Sequence, residues 1–102
     1  MKTIIYCDSY ERGEEQFDKL MSQLQESGID LSITKRKRGS FATDANGNHW
    51  KVVYAYDGAR GHKWHTCYVD EDISLRVFHT IIKPSEVPHF LSPIGEREVY
   101  FY

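Results

Sequence analysis

Residues 58–72, Gly58-Ala59-Arg60-Gly61-His62-Lys63-Trp64-His65-Thr66-Cys67-Tyr68-Val69-Asp70-Glu71-Asp72, concentrate the side chains capable of chemistry. Asp70, Glu71 and Asp72 follow directly on the apolar segment Cys67-Tyr68-Val69, the pattern of a buried strand delivering acids to a sheet edge. Hard oxygen donors at the carboxyl end of a strand suit a divalent cation such as magnesium, with Asp70 and Glu71 as the candidate ligands. The competing reading is a strand-to-helix turn in which Asp72 caps the next helix and the other acids face water. His62, His65 and Cys67 have the donor types of a soft-metal site that needs a fourth ligand such as His49 or His79. On a strand, however, only His65 and Cys67 share a face. Cys67 with a histidine also has the composition of a nucleophile pair, without an orienting third group.

The remaining chemistry is cationic. Arg60, His62 and Lys63 occupy a glycine-flanked turn, and Lys35-Arg36-Lys37-Arg38 form a second basic run. A solvated strand end explains such a run by itself. If both segments lie on one rim, they make a positive patch with Trp50 and Trp64 as stacking surfaces, suited to a nucleotide, a nucleic acid or an acidic protein partner. The candidate ligand-binding set is therefore Lys35, Arg36, Lys37, Arg38, Arg60, His62, Lys63 and Trp64. Because the formal net charge is −2, any nucleic-acid case rests on this local clustering and not on the whole chain.

The elements that must position these residues are legible from pattern. The chain of 102 residues, 40% hydrophobic and 27% charged, is sized for one domain with one core. Residues 2–7 are β-branched and aromatic and read as a first strand. Phe17, Leu20, Met21 and Leu24 then fall at i, i+3, i+4 and i+7, predicting a helix over 11–26 capped by Asp8 or Ser9 and ended at Gly28. A β-like segment at 29–34 completes a βαβ-like opening. Asn46-Gly47 between two β-rich runs predicts an antiparallel hairpin over 40–56, at one side of the sheet. After the strand at 66–69, Ile73, Val77, Phe78, Ile81 and Ile82 suit a short helix capped by Asp72 or Ser74 and closed before Pro84. An irregular segment over 84–95 and a final strand over 97–102 end the chain. The expected fold is α/β, with α+β as the alternative: a small mixed sheet with two helices. The tyrosine-rich last strand is a candidate edge for pairing with another chain, so a homo-oligomer is an open expectation.

Cys7 and Cys67 lie in apolar runs with no paired spacing, which favours buried free thiols and a reducing cytoplasm. Asp8 interrupts the N-terminal apolar stretch too early for a secretory segment, and no run approaches membrane-spanning length.

Residues 46–73 resemble the middle of the ATPase domain of phage terminase large subunits, the motors that package viral DNA. The features that carry the resemblance are Asn46-Gly47, Ala59-Arg60-Gly61 and Tyr68-Val69-Asp70-Glu71, and the strand and helix of residues 3–26 resemble those preceding the hairpin in that family. It covers about the first three-quarters of the chain. The resemblance implies magnesium binding at Asp70 and water orientation at Glu71. The chain departs from the family in having no Gly-x-x-x-x-Gly-Lys-Ser/Thr loop to hold the β- and γ-phosphates and no nuclease domain, so self-sufficient ATP hydrolysis is not expected. The resulting expectation is a non-catalytic, phage-encoded binding protein that recognises a nucleotide, a nucleic acid or a partner protein, as an inhibitor or accessory factor in infection. The alternative is a metal-dependent enzyme of phosphoryl transfer or hydrolysis using Asp70, Glu71 and Asp72.

Overall fold

The β-branched and aromatic run Lys2–Cys7 forms strand β1, and its parallel pairing on both sides makes it the axis of the sheet. The computed structural model describes residues 1–56, 62–88 and 98–102. Helix α1 (Tyr10–Glu26) follows, then β2 (Leu31–Thr34), β3 (Phe41–Asp44), β4 (His49–Tyr54), β5 (Thr66–Val69), a short helix α2 (Leu75–Val77) and β6 (Glu98–Phe101). The six strands form one mixed α/β sheet in the order β2-β3-β4-β1-β5-β6. β4, β1, β5 and β6 are mutually parallel, whereas β3 runs antiparallel to its neighbours β2 and β4.

Each face of the parallel part has its own cover, as parallel sheets require. On one face, Phe17, Leu20 and Met21 of α1 pack on Ile5, Cys7, Trp50 and Val52. On the other, Trp64, Ile73 and Ile82 pack on Ile4, Tyr6, Val53, Cys67 and Val69. α1 is placed by Ser9, whose side chain accepts from the Arg12 N–H, and it stops at Ser27, with Gly28 following at φ +85°. Burial pushes the thiols of Cys7 and Cys67 up to about 12, so neither is a thiolate at neutral pH.

The Asn-Gly hairpin is β3-β4. Asp44 Oδ1 accepts from the N–H groups of Asn46 and Asn48, each at 2.9 Å, and Asn48 Nδ2 donates to Asp44 Oδ2 at 2.8 Å. The Asn48 bond, with these amides, holds the Asp44 carboxyl below its usual range. Gly47 sits at φ +82° with open space around it, so Gly47→Ala tests backbone conformation alone. It should cost about 1 kcal/mol, read as a fall of roughly 5 °C in Tm.

The structure sharpens some expectations and corrects others. β2 runs in the direction of β1 but is not its neighbour, because the hairpin strands β3 and β4 lie between them. β4 is accordingly an interior strand. β5 is interior too, flanked by β1 and β6, so its acids leave the carboxyl-terminal rim and not a lateral edge. The second helix is capped by Ser74, one of the two expected caps, but it is not closed before Pro84. After Leu75–Val77 it widens into a π-turn over Phe78–Ile82 and tightens to a 3-10 turn over Lys83–Ser85. The Lys83 N–H reaches Phe78 O, Pro84 has no N–H to continue the ladder, and Trp64 Nε1 donates to Ile82 O at 2.8 Å. Residues 57–61, including Ala59-Arg60-Gly61, and residues 89–97 lie outside the described residues. β6 is a lateral edge strand, with Tyr100 and Phe101 exposed.

Candidate functional site

Asp70 leaves the end of β5 pointing inward and is fully buried. Its Oδ2 accepts from Arg12 Nε at 2.9 Å and from the Asp8 N–H at 3.2 Å, while Oδ1 accepts from the Asp72 N–H at 3.0 Å. The carboxylate thus joins the β1–α1 turn to the β5–α2 turn, and hydrogen bonding to it raises the Arg12 guanidinium above its ordinary pKa. Arg12 Nη2 also donates to Tyr102 O at 3.4 Å, and the Tyr102 hydroxyl donates to Tyr6 O at 2.8 Å. Glu71 and Asp72 are exposed, with Asp72 Oδ2 4.0 Å from Arg12 Nε. Both Asp70 oxygens are already hydrogen-bonded, and a guanidinium neutralises the charge that a divalent ion would need. The residues present therefore fit a structural anchor and not a magnesium site. Among the described residues there is no cluster of three or more metal-ligating side chains, including around His62, His65 and Cys67.

The basic residues sort differently. Lys35 turns toward α1, 3.0 Å from Asp18 Oδ1 and 3.4 Å from Glu14 Oε2, so its charge is compensated locally. Glu14, itself buried, also accepts from the Ser40 N–H at 3.0 Å and lies 2.8 Å from Ser40 Oγ, while that Oγ accepts from the Arg36 N–H at 2.8 Å. This latch fixes the turn between β2 and β3 and sends Arg36 over the Phe41 ring and Arg38 over the Tyr10 ring.

Two grooves meet at Lys51. One, of about 370 Å3, lies on the sheet face that α1 leaves uncovered and is lined by Lys2, Thr3, Ile4, His49, Lys51, His62 and Lys63. The other, of about 250 Å3, follows β4 to its end and has Arg36, Arg38, Tyr10 and Tyr54 in its lining. Lys51 and His62 belong to both, and among the described lining residues there is no carboxylate. The sheet pattern explains the arrangement: in β4, His49 and Lys51 are exposed while the alternating Trp50 and Val52 are buried under α1.

Of the candidate ligand-binding residues, Arg36, Arg38, His62 and Lys63 come together around Lys51. Lys37 is exposed and lines neither groove, Lys35 is diverted, and Arg60 is outside the described residues. Trp64 is fully buried and Trp50 is 9% exposed, so both belong to the core and neither offers a face for stacking. As groove residues, Lys2, His49 and Lys51 escaped the sequence reading, which names His49 only as a possible fourth ligand of a soft metal. The alternation His49-Trp50-Lys51-Val52 was the available signal for two of them.

No protein-family model matches the chain, and no curated protein matches it in sequence. Solved structures do match in shape. The large terminase of a thermophilic bacteriophage aligns over 98% of this chain and 25% of its own, with a TM-score of 0.67 at 10% identity. The large terminase ATPase domain of Thermus phage P74-26 aligns over 98% of this chain and 46% of its own, with a TM-score of 0.60 at 15% identity, and a mutant of that domain gives 0.59 at 14%. The likeness thus extends over nearly the whole chain, beyond the three-quarters that the motifs marked, while this chain spans less than half the length of each of these structures. In fold, the chain is similar to part of the ATPase domain of phage large terminases.

Proposed function

We propose that the chain is a non-catalytic binding protein that recognises the phosphates of nucleic acid, in a phage setting, as an accessory factor or inhibitor. One observation carries the reading: Lys2, Arg36, Arg38, Lys51 and Lys63, drawn from separate segments, converge on two contiguous grooves whose described lining has no acid. Among the described residues, side chains are what this surface offers to an anion. Such a surface exchanges condensed counterions for lysine and arginine contacts, so its affinity is electrostatic and falls with salt. The likeness in fold to terminase ATPase domains supports the phage setting. Engagement of both Asp70 oxygens supports binding over hydrolysis.

Fluorescence anisotropy with labelled oligonucleotides at low salt tests the proposal. Affinity should fall linearly on a log-log salt plot, with a slope of about −0.7 for each phosphate neutralised on a single strand. Lys51→Glu, an exposed position, should weaken binding at least about tenfold, equivalent to 1.4 kcal/mol. Absence of binding at low salt by oligonucleotides and nucleotides alike would replace nucleic acid with a protein as the partner.

A further inference from the structure

The shape of the grooves bears on which nucleic acid they take. Resting on the reading above, we infer that the bound form is a single strand, laid along β4 from Lys2 and Lys63 past Lys51 to Arg36 and Arg38, with bases turned onto the aromatic wall of Tyr10 and Tyr54.

The compartments are concave, at about 370 and 250 Å3, close to the size of small-molecule pockets of about 300–1,000 Å3. A duplex is convex and keeps its bases stacked inside, so it would meet only the rims. An unpaired strand can place sugar and base in each compartment while its phosphates stay on the rim lysines and arginines. The wall at the second compartment is built for a base. Tyr10 and Tyr54 stack with ring centroids 5.5 Å apart, Tyr56 meets Tyr54 edge-on at 5.2 Å, and Arg38 lies over Tyr10 at 5.9 Å. Tyr10 and Tyr54 are half-buried and both line this compartment, so each turns part of its side chain toward an occupant. Tyr56 is further fixed by a hydrogen bond from its hydroxyl to Asp8, which pushes its pKa up to about 12 and keeps it neutral. The track is also long enough. The rise from His49 to Tyr54 spans roughly 17 Å at about 3.3 Å per residue, which accommodates several phosphates.

Three probes separate charge from base stacking: a labelled thymidine strand of about twelve nucleotides, the same length as a closed hairpin duplex, and heparin, which is polyanionic and has no bases. The strand should bind about tenfold tighter than the duplex. Tyr54→Leu, which keeps apolar volume and removes the ring face, should weaken the strand about fivefold to tenfold and heparin much less, whereas Tyr10→Leu should weaken both, because Arg38 rests on the Tyr10 ring. Lys51→Glu should weaken all three. Circular dichroism and Tm of each variant confirm that the sheet is intact. If the duplex binds as tightly as the strand, or both leucine variants bind the strand as wild type does, while Lys51→Glu still weakens binding, the single-strand inference fails and the phosphate-binding reading survives. If wild type binds none of the probes at low salt, both fail.

Discussion

Asp70→Ala is expected to destabilise the chain by about 2–3 kcal/mol, because two backbone N–H groups lose their acceptor, while Arg12, whose side chain is 42% exposed, can turn to water. The side chain is fully buried and accepts from Arg12 Nε and from the N–H groups of Asp8 and Asp72. Alanine leaves both amides facing a cavity without an acceptor, at the two turns that define the carboxyl-terminal rim of β1 and β5. Domains of this size are held by about 5–15 kcal/mol in total, so the variant should unfold at much lower urea with an unchanged m-value. Asp70→Asn retains an acceptor and should lose less. Magnesium should alter neither wild type nor variant. A magnesium-dependent rise in wild-type Tm that disappears in Asp70→Ala would show instead that the carboxylate is a ligand and would restore the enzymatic alternative.

Gly13→Ala should destabilise by about 2–3 kcal/mol, the opposite sign to the gain of about 1 kcal/mol that the same change brings in an exposed helix. Gly13 lies on the buried face of α1 where the helix crosses β1 and β4. A Cβ there would fall 2.7 Å from Cys7 Cβ, 2.8 Å from Cys7 Sγ and 2.9 Å from Val52 Cγ1. None of these is the free end of a flexible chain, so the helix itself must lift, loosening Phe17, Leu20 and Met21 from the sheet. Urea denaturation of Gly13→Ala, Cys7→Ala and the double variant tests this. Removing the sulfur relieves one of the three contacts, so the double variant should be less destabilised than the sum of the singles. Additive effects would place the strain elsewhere.

What is legible in the sequence is local. The i, i+3, i+4, i+7 spacing of Phe17 to Leu24 marks α1 because one helix face must be apolar, and Asn46-Gly47 marks the hairpin because few other residue pairs accept that turn. The features that escape are settled between distant positions. β1, α1 and β2 read as a βαβ-like opening, but nothing local says that pairing between β1 and β4 sends β2 to the far edge. Trp64 stands among basic residues and reads as exposed, yet its indole is claimed by the Ile82 carbonyl. Asp70 reads as a candidate metal ligand beside Glu71 until Arg12, far upstream, claims its carboxylate. The run from Lys35 to Arg38 reads as one patch, and Glu14 and Asp18 divide it. No composition or periodicity encodes such pairings, because each depends on where another element comes to rest.

The sheet changes character at β4, with parallel neighbours on one side and antiparallel ones on the other. Parallel strands need cover on both faces, whereas antiparallel strands tolerate water on one. His49 and Lys51 therefore contribute little to the core, while Trp50 and Val52 contribute much. Folding is consequently written in one set of alternate letters of the strand, and the proposed phosphate contacts in the other. The outward letters can change, and with them the proposed ligand, while the inward ones preserve the architecture.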